Sequence, residues 1–443
     1  MAITQIPQKA SPEPKKRIKG LSRRNFFKYS LASGVGVGAA VMGADKLIPA
    51  LGTSAEAAPK MGKEHDAIPI EIAKDYQRMN QKNTIFCRFG WDPKIIPLGQ
   101  EFGGKFHGMI PPAGQPGWTE VESALSLAAW SVDHDAATNS EFGIPNQGLY
   151  AWEGKINKRQ TVFDTPRQAT SKVKRAARFL GADLVGICDY DERWVYSDFF
   201  NPFTGKATPG EFPFKPKSVV VLALEMDYDA FRAAPSLIAS AAAGNIYSNM
   251  ASIAHKVATF IRQLGYNAIP CGNDSAMSIP LAVSAGLGEL GRNGLLITEK
   301  YGPRVRLCKV ITDLELTAGK PITFGVRKFC EVCLKCADQC PGKAISHDKK
   351  ASFKTTTISN NPGIKKWCID ADKCFAFWAK NGGDCGNCIA SCPYNKIDDW
   401  HHSLTKAATL TPAKPVLRYF DELFGYGKTY NEKAMASWWK IKS

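Results

Sequence analysis

The sequence lacks the apolar runs of a membrane-spanning protein. After the first 57 residues no stretch approaches the roughly 20 consecutive apolar residues that a helix needs to cross a bilayer. Histidine is also scarce, and the seven histidines form no cluster with the spacing of metal ligands. These absences exclude a polytopic membrane protein and a histidine-based metal centre.

One segment matches the nucleotide-binding fingerprint in sequence but not in its predicted secondary structure. Residues 286–291, "GLGELG", match G-x-G-x-x-G. The fingerprint requires a helix directly after the glycines, so that the helix N-terminus faces the pyrophosphate. Here a turn-like Arg-Asn-Gly follows, and then "LLITEKYGPRVRLCKVI" predicts two strands around a turn at residues 302–303. We therefore interpret these glycines as bends in the chain.

The charge is positive but modest once the N-terminus is set aside. The chain has 57 Lys and Arg against 41 Asp and Glu, a formal net charge of +16. Residues 1–57 contain nine of the basic and three of the acidic residues, which leaves +10 for the remainder. This excess does not by itself indicate nucleic-acid binding, and we expect none. A phosphate-bearing cofactor or an anionic membrane surface would suit it as well.

The N-terminus has the pattern of an export signal. "SRRNFFK", residues 22–28, resembles a twin-arginine signal and is followed by the apolar run Tyr29–Ala44, which is too short to span a bilayer. Residues 55–57, Ala-Glu-Ala, are a plausible cleavage site. The sequence thus predicts a signal peptide over 1–57. By resemblance to that pathway, the protein is exported already folded around its cofactors.

Nine of the thirteen cysteines fall between residues 330 and 392, in two related patterns. "CLKCADQCP" and "CGNCIASCP" each end in Cys-Pro, as in bacterial ferredoxins, where the fourth cysteine of each run binds the other cluster. This predicts two 4Fe-4S clusters. We assign Cys330, Cys333, Cys336 and Cys392 to one cluster, and Cys374, Cys385, Cys388 and Cys340 to the other.

Some cysteine assignments stay open at this point. Cys368 could replace Cys374 or be a buried thiol. Isolated zinc sites would make no use of the Cys-Pro endings or the crossed fourth ligand. The four scattered cysteines are expected in the core, and they are Cys87, Cys188, Cys271 and Cys308.

Before the cysteine motifs, helix and strand patterns alternate. Thr165-Pro166 predicts the start of a helix that ends at Gly181, strands are predicted at 183–188 and 218–224, and a second helix at about 245–264. The expected organisation after the signal is an N-terminal region 58–164, a core 165–325, a cluster module 326–400 and a C-terminal segment 401–443.

Taken together, these features resemble a respiratory corrinoid-dependent reductive dehalogenase. The resemblance rests on the signal, the paired Cys-Pro motifs and the block that begins "YSNMA" and runs through "GYNAIPCGNDSAMSIP" to "GPRVRLCKV". It implies an α+β fold, with a nitroreductase-like α/β corrinoid-binding core and a bacterial ferredoxin-like two-cluster module. The corrinoid is expected base-off, without a histidine ligand. His134, in "DHDAAT", accordingly lacks the glycine of a D-x-H-x-x-G motif.

The resemblance also implies the site residues. Tyr247 matches the proton donor, Asn273 and Arg306 match its neighbours, and Leu307 and Lys309 match corrinoid contacts, although Arg304 is close enough in sequence to replace Arg306. Tyr247 begins a helical stripe of small residues, Ala251, Ala254 and Ala258, which could face the corrin ring or simply pack another helix.

The implied reaction is R–X + 2e⁻ + H⁺ → R–H + X⁻, or elimination of two halogens from adjacent carbons. Its implied partners are a small organohalide, a small integral membrane anchor subunit and a respiratory electron donor, at the outer face of the cytoplasmic membrane. Two alternatives remain. An epoxyqueuosine reductase is disfavoured because its tRNA substrate is inside the cell, and a two-cluster electron carrier would not need the long region before Cys330.

Overall fold

The computed structural model describes residues 62–137, 144–397, 421 and 425–440. The predicted signal peptide and most of the segment 401–443 lie outside these residues. The chain from Gly62 onward forms one compact unit. In the described part, no helix combines the length and apolar character needed to traverse a bilayer.

The strands of the described residues are β1 Lys63–Glu64, β2 Leu184–Asp189, β3 Asp198–Phe200, β4 Ala207–Pro209, β5 Ser218–Glu225, β6 Ala268–Cys271, β7 Glu289–Leu290, β8 Leu296–Ile297, β9 Val305–Thr312 and β10 Ile322–Thr323. The α-helices are α1 Ile85–Arg88, α2 Ile96–Phe106, α3 Glu120–Asp135, α4 Pro166–Phe179, α5 Tyr228–Phe231, α6 Leu237–Gln263, α7 Ser278–Ser284, α8 Val326–Cys333, α9 Lys335–Asp338, α10 Ala371–Asn381, α11 Asn387–Ala390 and α12 Glu432–Trp438.

A four-stranded antiparallel sheet in the order β2-β5-β9-β6 organises the core. Its inner strand β5 reads "SVVVLALE". Successive side chains of a strand point to opposite sides of the sheet, and in β5 both sets are buried. Val220 and Leu222 pack into one apolar cluster, and Val219 and Val221 pack into another. The helix α6 covers the first of these faces, which is also the face of Arg306 on β9.

The predicted start of the first helix, α4, is confirmed. The predicted range of the second helix, α6, is too short. α4 begins as expected, with the Thr165 side chain accepting a hydrogen bond from the Gln168 backbone N–H. α6 starts at Leu237, eight residues before the expected start. The extension follows from "LIASAAAG", because alanine has the highest helix propensity.

The glycines of "GLGELG" are bends, as predicted. Gly286 has φ of +75°, and a Cβ there would lie 2.3 Å from the carbonyl oxygen of Lys320. The segment continues into the hairpin β7–β8 rather than a helix. The two strands predicted on either side of the turn at residues 302–303 are present, but they do not pair with each other, because β8 pairs with β7 while β9 joins the main sheet.

The cysteine-rich region packs directly on this core. α8 and α9 are separated by Leu334, which has a left-handed backbone with φ of +58°. The buried Arg292 donates to the carbonyl oxygens of Cys330 and Ser346, at 2.8 and 2.7 Å. A single buried guanidinium therefore joins the core to both sides of the first cysteine run.

Candidate active site

Tyr247 projects from the middle of α6 and is nearly buried. Its side chain is 6% exposed, and its hydroxyl oxygen accepts a hydrogen bond of 2.6 Å from Asn273 Nδ2. Since the amide is the donor, this contact leaves the hydroxyl proton of Tyr247 available to another acceptor. Burial raises the pKa of Tyr247 to about 12, while Arg306 and the Asn273 hydrogen bond act in the opposite direction.

The ring of Tyr247 lies between an indole and a guanidinium. Trp130 of α3 stacks on it at 4.7 Å between ring centroids, and the guanidinium carbon of Arg306 is 5.0 Å from its centroid. Gly244, one turn before Tyr247, makes room for the indole, because a Cβ there would lie 2.3 Å from Trp130 Cδ1. The phenol is thus held in one orientation by contacts on both ring faces.

Arg306 retains hydrogen-bonding capacity. Its one ion pair among the described residues is long, 3.4 Å from Nη2 to Asp384 Oδ2, and its buried Nε has no hydrogen-bond partner there. Burial raises the pKa of Asp384 to about 6, and Arg306 opposes that shift. A guanidinium with an unused buried donor is equipped to bind an anion or the electron-rich part of a substrate.

Arg304, the other candidate, forms its hydrogen bonds with residues other than Tyr247. Its side chain is 1% exposed, and it donates to Asn395 Oδ1 at 2.9 Å and to Glu225 Oε1 at 2.5 Å, as well as to the Met226 carbonyl. The geometry therefore brings Arg306, and not Arg304, to Tyr247.

Asn273 lies in the loop between β6 and α7, which several hydrogen bonds hold in place. The fully buried Lys309 donates from Nζ to the Gly272 carbonyl at 2.5 Å and to Ser278 Oγ at 3.2 Å. Asp274, also fully buried, accepts from Gly272 N and from Ser275 Oγ. These bonds fix the backbone on both sides of Asn273 and so fix its amide against Tyr247.

The predicted corrinoid contacts lie on the other face of the sheet. Leu307 is in the apolar cluster opposite Arg306, and the Lys309 ammonium is engaged by the Asn273 loop. Their role toward a corrinoid stays a prediction. The small-residue stripe after Tyr247 is fully buried in the core and does not line the cavity described next.

A cavity of about 390 Å³ adjoins this loop, and Asn273 forms part of its wall. The other lining residues are mostly apolar or aromatic: Ile70, Gln81, Thr84, Phe86, Trp194, Tyr196, Met277, Ser278, Ile279, Pro280, Leu290, Gly294, Asn360, Ile364, Lys366, Trp367 and Ile369. This set contributes no imidazole.

The lining fits a flat, largely apolar macrocycle with amide side chains. Beside the cavity, Asn361 Oδ1 is buried without a hydrogen-bond partner among the described residues, while its Nδ2 donates to Met277 Sδ. An unpaired buried amide oxygen is costly in an empty protein. A corrinoid, whose ring carries carboxamide donors, offers groups that could satisfy it.

The cluster cysteines form two groups of thiols that are buried or half-buried. In the first, the pKa of Cys336 is raised by burial, then by neighbouring Cys330, Cys392 and Cys333, and last by Cys388 of the second group. In the second, the pKa of Cys385 is raised by burial and then by Cys388, Cys374 and Cys340. The first group includes Cys392 and the second includes Cys340, so each group contains one cysteine from the other motif.

Cys368 stands apart from both groups. Burial raises its pKa, and the only charged neighbour that affects it is Lys366. All thirteen cysteines are unpaired thiols. In the described ranges, no group of three or more Cys, His, Asp or Glu side chains is placed to hold a single metal ion.

Two residues of this site escaped the sequence analysis. Trp130 lies more than 100 residues before Tyr247, in a helix whose apolar spacing predicts only packing. Asp384 precedes Cys385 directly, so its position next to a cluster motif was a usable signal. Its pairing with Arg306 depends on how the module packs on the sheet.

A buried phenol near two groups of thiols with ferredoxin-like spacing is the arrangement expected of an iron–sulfur oxidoreductase. The family profile for a 4Fe-4S dicluster domain matches residues 329–396. The tetrachloroethene reductive dehalogenase of Desulfitobacterium hafniense (strain Y51) is 36% identical over an alignment of 523 residues, covering 93% of this chain and 95% of that protein. The enzyme of the same name from Dehalobacter restrictus is 41% identical over 384 residues, 72% of this chain and 70% of that protein.

Among solved structures, the catabolic reductive dehalogenase NpRdhA has a TM-score of 0.66 at 22% identity, and a reductive dehalogenase described in terms of B12-dependent dehalogenation has 0.65. Each match covers 86% of this chain and 50% of the solved chain, so this chain spans half of that length. At this identity the likeness shows the fold, a mixed helix and sheet architecture.

The chain belongs to the reductive dehalogenase family. It is an oxidoreductase with a 4Fe-4S dicluster domain, as its relatives and that domain show. The two alternatives are not favoured. An epoxyqueuosine reductase of Lactococcus garvieae matches only 27% of the chain, and the dehalogenase relatives cover far more than an electron-carrying module.

Proposed function

We propose that this protein removes halogen from a chlorinated ethene or a similar small organohalide, with Tyr247 as proton donor. The observation that carries the proposal is the contact in which Asn273 donates to the Tyr247 hydroxyl while Arg306 lies against the same ring. The substrate class is inferred from the relatives, which are tetrachloroethene reductive dehalogenases.

The proton is supplied by the protein. When bound, the corrinoid supplies a low-potential cobalt that breaks the carbon–halogen bond, and the clusters supply the two electrons. Tyr247 gives its hydroxyl proton to the carbon that loses halogen. Asn273 N–H and the Arg306 guanidinium stabilise the phenolate that remains, which lowers the barrier to transfer.

We further propose the ligand sets predicted from the cysteine motifs. Cys330, Cys333, Cys336 and Cys392 would hold one cluster, and Cys374, Cys385, Cys388 and Cys340 the other. Support comes from the two thiol groups, each of which contains one cysteine from the other motif, and from the isolation of Cys368.

The proposed location is the outer face of the cytoplasmic membrane. It rests on the twin-arginine pattern of residues 22–28 and on the family resemblance. A small membrane anchor subunit and a respiratory electron donor complete this proposal.

The test is halide release by purified, cofactor-replete protein with a soluble low-potential reductant. A panel of chlorinated ethenes, chlorinated ethanes and chlorinated aromatics identifies the substrate class. Failure to release halide from any chlorinated ethene, with release from aromatics, would overturn the substrate proposal. A purified protein that contains iron and sulfide but no cobalt would contradict the proposal that it is a corrinoid-dependent dehalogenase.

A further inference from the structure

The segment around helix α4 is strongly basic. Residues 153–180 contain eight Lys and Arg but only two Asp and Glu, a net charge of +6 out of the +10 that remains after residue 57. The loop 155–162 and α4 both pack along α6: Asn157 N donates to the Arg262 carbonyl, and Thr161 N donates to the Leu264 carbonyl. The basic residues of both segments therefore lie on the same side of the molecule.

Helix α4 has one buried face and one charged face. Ala169, Val173 and Ala177 are at most 1% exposed and pack into the core. Lys172 and Arg175 lie on the outward side, and in the part of the chain that the structure describes neither has an acidic partner within ion-pair distance. Their charges are available to a partner outside the protein.

Two large apolar side chains stand among these cations. Phe179 is 81% exposed and follows Lys172 and Arg175 at i+7 and i+4, so all three share one side of the helix. Val162, just before the helix N-cap, is 86% exposed. The described loop 155–162 adds the exposed cations Lys155, Lys158 and Arg159.

We infer that this surface, Lys155–Phe179, binds an anionic phospholipid bilayer. Cations beside protruding apolar side chains match the two parts of such a bilayer, because the cations pair with lipid phosphates and the phenyl ring enters the acyl boundary. A helix of 14 residues, about 21 Å long, presents Lys172, Arg175 and Phe179 along one side, which suits a planar partner. An acidic protein or a nucleic acid would account for the cations but would leave Phe179 and Val162 unexplained.

Vesicle sedimentation tests this inference. The probe is a vesicle of phosphatidylcholine with phosphatidylglycerol, compared with phosphatidylcholine alone, using the purified full-length holoprotein. Residues 1–61 are the same in every sample and so cannot produce a difference between variants. We expect binding to the anionic vesicles only, weakened by salt.

Lys172→Gln with Arg175→Gln should weaken vesicle binding roughly 30-fold, at about fivefold for each basic residue near the surface. Phe179→Gln should weaken it on the order of tenfold. The matched control, Lys349→Gln with Lys350→Gln, removes two exposed cations outside this surface and should bind as the parent does.

Halide release with a soluble reductant and no vesicles should be unchanged in all three variants, which confirms that they are folded. Equal binding of the parent to neutral and anionic vesicles, parent-like binding by the Lys172/Arg175 variant, or binding only to an acidic polymer such as polyglutamate would each overturn the inference. Since activity is measured separately, failure of the proposed dehalogenation leaves this test intact.

Discussion

Replacing Tyr247 with Phe isolates the proton-donor role. The substitution keeps the ring between Trp130 and Arg306 and removes only the hydroxyl, so the packing on both ring faces is retained. What is lost is the proton and the acceptor for Asn273 Nδ2. Leaving that buried amide without an acceptor costs about 1–3 kcal/mol of stability, so the variant should fold but melt at a lower temperature.

The effect on turnover can be bounded. A positioned general acid contributes roughly 10²–10⁴-fold, which corresponds to about 3–5 kcal/mol of barrier. Burial outweighs Arg306 and the Asn273 hydrogen bond and raises the pKa of Tyr247 to about 12, which disfavours the phenolate by roughly 3 kcal/mol relative to a tyrosine with a pKa near 10. Without the counter-charge of Arg306 the pKa would be higher still, so the phenol alone would be a poorer acid.

The pH dependence follows from the same shift. A phenol with a pKa of about 12 keeps its proton up to near pH 12, whereas an ordinary tyrosine would begin to lose it near pH 10. Deprotonation of Tyr247 should therefore not lower turnover between pH 7 and 10.

The assay is halide release together with corrinoid and iron content for each variant. The matched control is Tyr266→Phe, which removes a hydroxyl that donates to the Thr161 carbonyl at 2.8 Å, outside the site. The control should retain parental turnover, and Tyr247→Phe should fall by 10²–10⁴-fold. Halide release by cofactor-replete Tyr247→Phe within about threefold of the parent would refute the proton-donor role.

Three further outcomes test the remaining assignments. Cys374→Ser should lose one of two clusters, measured as a fall from about eight to about four irons per chain, whereas Cys368→Ser should keep both; the reverse result would exchange the two residues. Arg23→Lys with Arg24→Lys should retain the precursor in the cytoplasm by cell fractionation, and normal export would remove the signal assignment. Arg306→Gln should lower turnover at least tenfold at unchanged iron content, because the phenolate loses its counter-charge; parental turnover would contradict this role.

Local patterns were sufficient for much of the architecture. The start of α4 depends on Thr165 and Pro166 alone, because capping and proline geometry act within one turn of helix. The strand β5 is predicted from a short continuous apolar run, which is typical of a strand buried on both faces. The early start of α6 was missed because its alanine-rich first turns have little apolar periodicity.

Strand pairing was beyond the reach of those patterns. The segments β8 and β9 both have strand character and are separated by a turn, but these patterns do not indicate which strands pair. In the fold, β9 lies between β5 and β6, so its edges are already occupied and β8 pairs with β7. The competition between possible partners is settled by tertiary packing, which a short window of sequence does not contain.

By itself, the sequence determined that the protein binds iron–sulfur clusters. The ligands of such clusters are cysteines at short, repeated spacings, and "CLKCADQCP" and "CGNCIASCP" contain those spacings. Tertiary structure decided which arginine meets Tyr247. Arg304 and Arg306 are two residues apart with the same chemistry, but Arg304 bonds to Glu225 and Asn395, and Arg306 lies under the phenol. It also decided that Trp130 and Asp384 join the site, because residues far apart in the chain become neighbours only when the helices and the cluster module pack on the sheet.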